Sequence, residues 1–498
     1  MLTLTHLDPY PYSGRQTPPH DYRASLASIA SPAKSRIIGA VLESGVGPSP
    51  SAREPVGRRA LLVLTTAAFL VRAAFLLLAP ACHYAGDEPS WIALGTQELV
   101  PLSPLRNDLV FYPPLYPYFV ALVWRALASL EAVLWVQAAL GALLVPAVAR
   151  VGAIAFGRRT GIVAAVFAAL YPDLVWFSTR FWSETLFIVL LWWAIERTLT
   201  ADRTGSRRTA AAAGLLWALA TLTRELALYL VPLAALWMLR PRAAAPARSW
   251  SSWLRPPRAT LLTAATLVAA SLLAIAPWTI RNGIVFRAFI PVSTMGSLNL
   301  WQGNTTLTHL QIYELLARIE GPVAQDRYCR QLAWQTISAR QPTWILEKLA
   351  EQMPEFWKAG SEVLDHLVGR EACGPLTTTA LVPIELLLIL PYLALLGLLV
   401  VGLARLRFGA GAGLLLLLLA AYNAAHVVAY ATPRFRLPVM PVVFLVAAAF
   451  LVGRAEGLQL PLRGWRATLL VLLLMATLVV LAPGVEELAV WRLLTGRG

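Results

Sequence analysis

Asp87 and Glu88 are adjacent carboxylates that follow directly on an apolar run, residues 60 to 80, long enough to cross a bilayer. They emerge at the membrane-water boundary, where an ionisable group is costly unless it is paired or hydrated. In the stretch His83-Tyr84-Ala85-Gly86-Asp87-Glu88-Pro89-Ser90-Trp91, Pro89 suits the first turn of a short helix and Asp87 lies near its cap. A cap needs one acid and this site offers two. Within hydrogen-bond reach of a hydroxyl, such a carboxylate can act as a general base, and Asp87 is the candidate. Charges at other span ends suit the same cavity: Glu184 within Arg180-Phe181-Trp182-Ser183-Glu184-Thr185-Leu186, then Arg224, and the Arg434/Arg436 pair. Each has a plainer reading. Ser183-Glu184 is also a good helix start, and Arg224 can pair with Glu225.

What must position these residues is a set of membrane helices. The chain of 498 residues is 58% hydrophobic and 14% charged, with mean hydropathy +0.62, too apolar for a soluble protein. Its apolar runs have helix-spanning length and lack the short alternation of a barrel strand. Spans are expected near 60–80, 132–153, 160–177, 183–199, 209–223, 226–239, 259–278, 379–403, 411–430, 438–453 and 467–483, about eleven in all. With the N-terminus inside, the inner loops hold seventeen arginines, from Arg150 through Arg466, and the short outer loops hold Arg180, Arg224, Arg434 and Arg436. That asymmetry satisfies the positive-inside rule and accounts for much of the net charge of +15, so no nucleic-acid partner is indicated.

Residues 1–57 read as a disordered cytoplasmic tail without a signal peptide, and 485–498 as a short tail. Residues 58–280 form an N-terminal transmembrane catalytic module that includes an outer loop, 81–131. In that loop the prolines of Phe111-Tyr112-Pro113-Pro114-Leu115-Tyr116-Pro117-Tyr118 argue against a regular helix, and Phe119 to Leu130 reads as an interfacial helix. Residues 281–378 form a small helical cap domain, and 379–484 the C-terminal transmembrane helices. Cys329 and Cys373 both fall in the cap, which permits a disulfide or two free thiols; with Cys82 they show no zinc spacing. The scattered histidines His83, His309, His366 and His426 read as ordinary loop or interfacial residues, and the Asn304-Thr305-Thr306 sequon as incidental.

The ordered set of motifs is similar to a known group. Gly86-Asp87-Glu88, Tyr112-Pro113-Pro114-Leu115-Tyr116-Pro117, Ser183-Glu184-Thr185-Leu186 and Thr223-Arg224 come in that order. They are followed by Pro277-Trp278-Thr279-Ile280-Arg281-Asn282, Asn299-Leu300-Trp301-Gln302-Gly303-Asn304 and Arg434-Phe435-Arg436-Leu437-Pro438. Together they resemble the GT-C superfamily of lipid-phosphate-sugar glycosyltransferases. They are similar to bacterial members of glycosyltransferase family 39, relatives of protein O-mannosyltransferases and of the aminoarabinose transferase that modifies lipid A. The resemblance runs from about residue 60 to 455. Tyr112 stands where many relatives carry His, and Thr223-Arg224-Glu225 where relatives often read Thr-Arg-Pro.

The resemblance implies an all-α polytopic bundle, a sugar donor on a polyprenyl phosphate, and inverting transfer on the outer face to an acceptor hydroxyl, amine or phosphate. The acceptor would be a lipid, a glycan or a protein, and the location a bacterial inner membrane with the site on the periplasmic face. Asp87 is then the base and Glu88 orients the acceptor or serves a bound cation. Arg434, Arg436, Arg224 and Arg281 are candidates for the leaving phosphate, because guanidinium forks match phosphate oxygens. Glu184, Tyr112, Tyr116 and Asn304 are candidates for sugar or acceptor contacts. No resident cofactor is required and no metal cluster is evident, with a divalent cation left open. The rival reading is a multi-span transporter or lipid flippase. Against it stand charges gathered at one face instead of the midplane, and no visible inverted repeat.

Overall fold

A computed structural model describes residues 55–78, 86–98, 109–241, 256–368, 378–455 and 460–485. The tail residues 1–54, Cys82, Cys373 and the segment 486–498 lie outside the described residues, and with them the tail readings and the disulfide question. Among the described residues there is no strand. The chain begins with α1 (Arg58–Leu78), α2 (Glu88–Ala93), α3 (Leu115–Leu127), α4 (Leu130–Ala142) and α5 (Leu144–Ala155). It continues through α6 (Arg158–Leu170), α7 (Pro172–Phe177), α8 (Glu184–Thr204), α9 (Arg207–Thr223), α10 (Ala227–Met238) and α11 (Arg258–Phe286). The cap helices are α12 (Met295–Gln302), α13 (His309–Leu316), α14 (Pro322–Ala339), α15 (Trp344–Trp357) and α16 (Glu362–Val368). Last come α17 (Thr378–Arg405), α18 (Ala410–Val428), a 3₁₀ turn (Pro433–Val439), α19 (Met440–Ala455) and α20 (Trp465–Val485).

Among the described residues, six stretches are long and apolar enough to cross a membrane: α1, α4 with α5, α11, α17 from Ala380, α18, and the 3₁₀ turn with α19. The other expected spans exist as helices, and their shortfall has physical causes. α6 stops at Leu170 before Pro172, whose ring resists the helical conformation in the residue before it. α8 carries Glu196, Arg197, Asp202 and Arg203, yet most of its length is buried among other helices, so those charges meet protein and not lipid. From Glu184 to Asp202 it rises about 27 Å at 1.5 Å per residue, close to the hydrocarbon thickness. Glu196 pairs with Arg150 at 3.0 Å, and Asp202 with Arg240 at 2.7 Å. A second layer of charge therefore closes the bundle at the end away from Glu184.

Two contacts make the bundle tight. A Cβ on Gly152 of α5 would lie 2.5 Å from the Gly161 Cα of α6, and one on Gly214 of α9 would lie 2.3 Å from the Leu267 carbonyl of α11. Only small residues permit such backbone approach in an apolar slab, where dispersion and not water drives packing. Arg72, inside α1, turns inward and bonds the Ala169 carbonyl at 3.3 Å, as a buried cation in a span must.

Two boundaries differ from the sequence reading. α3 starts at Leu115, so Pro117 lies within the helix, in a first turn where a missing N–H disturbs nothing. α11 continues to Phe286 instead of stopping near 278, because Arg281 and Asn282 are buried on its inner face with partners of their own.

Candidate active site

Asp87 is the N-cap residue of α2, but its side chain makes no capping bond, and it remains 45% exposed. A cap role therefore leaves the carboxylate unexplained. Gly86, at φ +60°, brings this backbone against Trp182: a Cβ there would lie 3.0 Å from the indole. Across from Asp87, Arg434 enters from the start of the 3₁₀ turn, which is fixed to α8 by Trp192 Nε1 donating to the Pro438 carbonyl at 3.0 Å. Arg434 Nη1 lies 3.5 Å from Asp87 Oδ2 and its Nε 3.2 Å from Glu184 Oε1. Its guanidinium lies over Trp182 at 4.3 Å, an arrangement that holds the cation without neutralising it.

Glu184 opens α8 and is fully buried. Its Oε1 is ion-paired with Arg224, whose Nε also donates to Ser183 Oγ at 3.3 Å. The plainer reading of Arg224, a pair with Glu225, is not what the structure has: Arg224 pairs with Glu184, and Glu225 accepts from Ser293 Oγ at 2.6 Å. Glu184 Oε2 is buried without a hydrogen-bond partner. A buried oxygen left open in this way can accept a hydrogen bond from a ligand.

Beside α2 lies a cavity of about 500 Å³, lined by Pro89, Ser90, Ala93 and Leu94 and by the strip from Leu109 to Tyr112. Tyr112 packs on Trp91 with ring centres 4.5 Å apart and faces this cavity. Arg281 sets the cavity wall: its Nη1 donates to the Leu109 carbonyl at 2.8 Å, while the Thr294 amide bonds Val110 at 2.9 Å.

Five expected site residues are held by partners within the protein. Arg281 is buried, committed to Leu109 and to Asn282 Oδ1 at 3.0 Å, and covers Trp278. Arg436, two residues beyond Arg434, donates to the Lys358 carbonyl at 2.7 Å and to Gly360, and covers Tyr392 at 3.9 Å. Tyr116 is fully buried, with its hydroxyl on Gln137 Oε1 at 2.8 Å. Asn304 is buried too: its amide donates to Leu300 at 2.7 Å and Val428 at 3.1 Å, and its oxygen accepts from Trp344 Nε1 at 2.8 Å. That burial also suits the reading of its sequon as incidental. Glu88 is 2% exposed and accepts from the Phe181 amide at 2.9 Å, so it orders the 180–183 turn.

The helical cap expected from the sequence includes α16, but no site role was read for its residues. Its Glu362 lies in the field of Arg434, Glu184 and Asp87, with burial pushing the carboxyl upward ahead of the opposing pull of Arg434. His366, one turn on, lies against Trp182 with ring centres 5.3 Å apart, its pKa lowered first by burial and then by Arg434. Spacing of four residues on an apolar short helix was the available signal. Among the described residues, no three His, Cys, Asp or Glu side chains converge in a geometry that could hold a metal.

The arrangement is a helical membrane bundle whose Asp87 end gathers carboxylates and guanidiniums around aromatic rings. Residues 112–280, about a third of the chain, match the family model of dolichyl-phosphate-mannose-protein mannosyltransferases, which supports the GT-C resemblance. Solved structures that are similar include the oligosaccharyltransferase AglB from Archaeoglobus fulgidus in complex with an inhibitory peptide and a dolichol-phosphate. It shares 18% identity over 86% of this chain and 55% of its own, with a TM-score of 0.47. The Archaeoglobus fulgidus oligosaccharyltransferase in the apo form shares 16% identity over 86% and 55%, with a TM-score of 0.46. The chain thus spans about half the length of these structures. No curated protein matches it.

Proposed function

We propose that this multi-pass membrane protein is a glycosyltransferase that moves a sugar from a polyprenyl-phosphate donor to an acceptor hydroxyl. The observation that carries the reading is the Asp87–Arg434–Glu184–Arg224 cluster at one end of the bundle. Asp87 accepts the acceptor proton as the acceptor oxygen bonds to C1 and the bond from C1 to the phosphate oxygen breaks. Attack opposite the leaving group inverts C1. The departing polyprenyl phosphate needs fixed positive charge and no proton, which Arg434 and Arg224 supply. The open Glu184 Oε2 accepts from a sugar hydroxyl. Arginine asymmetry supports a site on the outer face with the N-terminus in the cytoplasm, and the family resemblance supports a bacterial inner membrane. The domain division read from the sequence goes with this assignment.

The test is mass spectrometry of envelope lipids, glycans and secreted proteins from cells with and without the gene. Gain of one hexose or pentose on a single class in cells that carry the gene is expected and names the acceptor. Substrate movement across the membrane with no covalent change would overturn the reading.

A further inference from the structure

α8 is buried along most of its length, and what it leaves open is one stripe. Between Glu184 and Asp202 only Leu190, Trp193, Arg197 and Thr200 are partly exposed, the spacing of a single helix face. α5, with the residue before it, is open in the same way at Leu143, Arg150 and Ile154. The two stripes meet: Trp193 Nε1 donates to the Leu143 carbonyl at 3.0 Å, and Arg150 Nε to Glu196 Oε1 at 3.0 Å. An open seam therefore runs between α5 and α8. Its chemistry changes along its length. Nearer Glu184 it is apolar, with Leu143, Leu190 and the Trp193 ring, and about 10 Å further along α8 it is cationic, with Arg150 and Arg197.

The buried carboxylate of Glu196 holds both cations by their Nε atoms, Arg150 on Oε1 and Arg197 on Oε2 at 2.5 Å. Both guanidiniums lie against Trp193, 5.9 and 5.8 Å from its ring centre. The plainer role of the two arginines is to neutralise Glu196. One would suffice, as Arg240 does for Asp202. The pair therefore keeps a net positive charge. Among the described residues the Nη groups of Arg150 and Arg197 make no hydrogen bond, and the side chains are 42% and 28% exposed.

We propose that this seam binds an anionic phospholipid of the leaflet opposite Asp87, with its phosphate on the Nη groups of Arg150 and Arg197 and an acyl chain along Leu143, Leu190 and Trp193. Guanidinium forks fixed at one edge and open at the other match phosphate oxygens. Arg150 lies inside Leu130–Ala155, a stretch apolar and long enough to cross a membrane, so the seam opens sideways toward lipid. The order along it is that of a lipid from the far leaflet, with charge toward the end away from Glu184 and tail toward the middle. Glu196 lies about 18 Å along α8 from Glu184, and the long arginine stems reach the rest of the way to the headgroups. The site is separate from the Asp87 cluster and does not depend on the sugar-transfer reading.

The test adds phosphatidylglycerol to the full-length protein in detergent and reads the lipid retained on the folded protein by native mass spectrometry. Wild type should keep one phosphatidylglycerol that Arg150→Gln with Arg197→Gln loses or holds about tenfold more weakly. Phosphatidylcholine, whose headgroup carries its own cation, should show no such difference. Arg207→Gln with Arg208→Gln removes the same charge from the exposed start of α9 and should keep the lipid. Equal retention of phosphatidylglycerol by wild type and the Arg150/Arg197 variant overturns the site. Equal loss from the Arg207/Arg208 variant also overturns it, since overall charge would then attract the lipid. Release by excess inorganic phosphate would leave an anion site without an acyl track and reject the lipid. If the double variant does not fold because Glu196 loses both partners, Arg150→Gln decides, because Arg197 still pairs with Glu196. Weakened retention in that variant supports the site, and unchanged retention rejects it.

Discussion

Arg434 Nη1 stands 3.5 Å from Asp87 Oδ2, joining a loop after the first span to a turn before a late one. The contact is longer than a direct charge-assisted hydrogen bond, and Asp87 stays 45% exposed. Asp87 is thus held near a cation without being consumed by it, which is compatible with the proposed base role.

Asp87→Asn should lower transfer from a polyprenyl-phosphate sugar by about 10²- to 10⁴-fold, the usual weight of a positioned base. Membrane insertion and melting temperature should be unchanged, because the side chain makes no cap bond. Turnover equal to wild type in an in vitro transfer assay would remove Asp87 from the chemistry.

Glu184→Gln addresses the buried pair. Taking one member from a buried ion pair costs about 3–5 kcal/mol, since the partner keeps its desolvation cost. Here Arg224 and Arg434 both lose their shared counter-ion. Melting in detergent should drop markedly for Glu184→Gln, and by less than the sum of the singles for Glu184→Gln with Arg224→Ala. Strict additivity would mean that the two side chains act independently.

Glu225 predicts a pH effect away from the chemistry. Burial, with the Asp326 charge adding to it and the Ser293 hydroxyl opposing, pushes its carboxyl up to about 7 from 4.5. Between those values the folded chain keeps a proton that the unfolded chain releases. The stability so contributed is full below pH 4.5 and is lost as pH rises through about 7. Because the residue is half-buried, about 2 kcal/mol is the expected size. Glu225→Gln should flatten this part of the melting-temperature profile; parallel profiles for the two proteins would contradict the assignment.

Asn304→Ala should act on stability alone. It strips partners from Trp344 Nε1 and from the Val428 carbonyl, worth about 1–3 kcal/mol where buried. Turnover per folded molecule should hold. A raised acceptor KM at unchanged stability would instead return Asn304 to the acceptor site.

Much of the bundle was legible because hydrophobic run length is a strong signal, and each expected span falls on helical chain, though 132–153 and 160–177 are each made of two helices and 259–278 extends to Phe286. Charged residues at span ends pointed to Asp87, Glu184, Arg224 and Arg434, since such positions carry a cost that something must offset. What stayed hidden depended on direction. Arg434 and Arg436 sit two residues apart on a 3₁₀ turn, where about 120° per residue sends them to different sides, one toward Asp87 and one toward the α16 turn. Asn304 and Tyr116 have site-like types, yet their polar atoms are satisfied by backbone and Gln137, a fact that no local pattern encodes. Glu362 was out of reach because its place is set by Asp173, Tyr392 and Arg436, each distant in sequence.

At the seam between the cap helices and the slab, Gly303 follows α12 directly below Ala429, and a methyl there would overlap the Ala429 carbonyl. Main chain rests on main chain, and Lys348 adds its ammonium to the Gly303 carbonyl. Neither partner has a rotamer to swing aside. α12 and the end of α18 therefore meet backbone to backbone, a joint that no side-chain rotation can loosen.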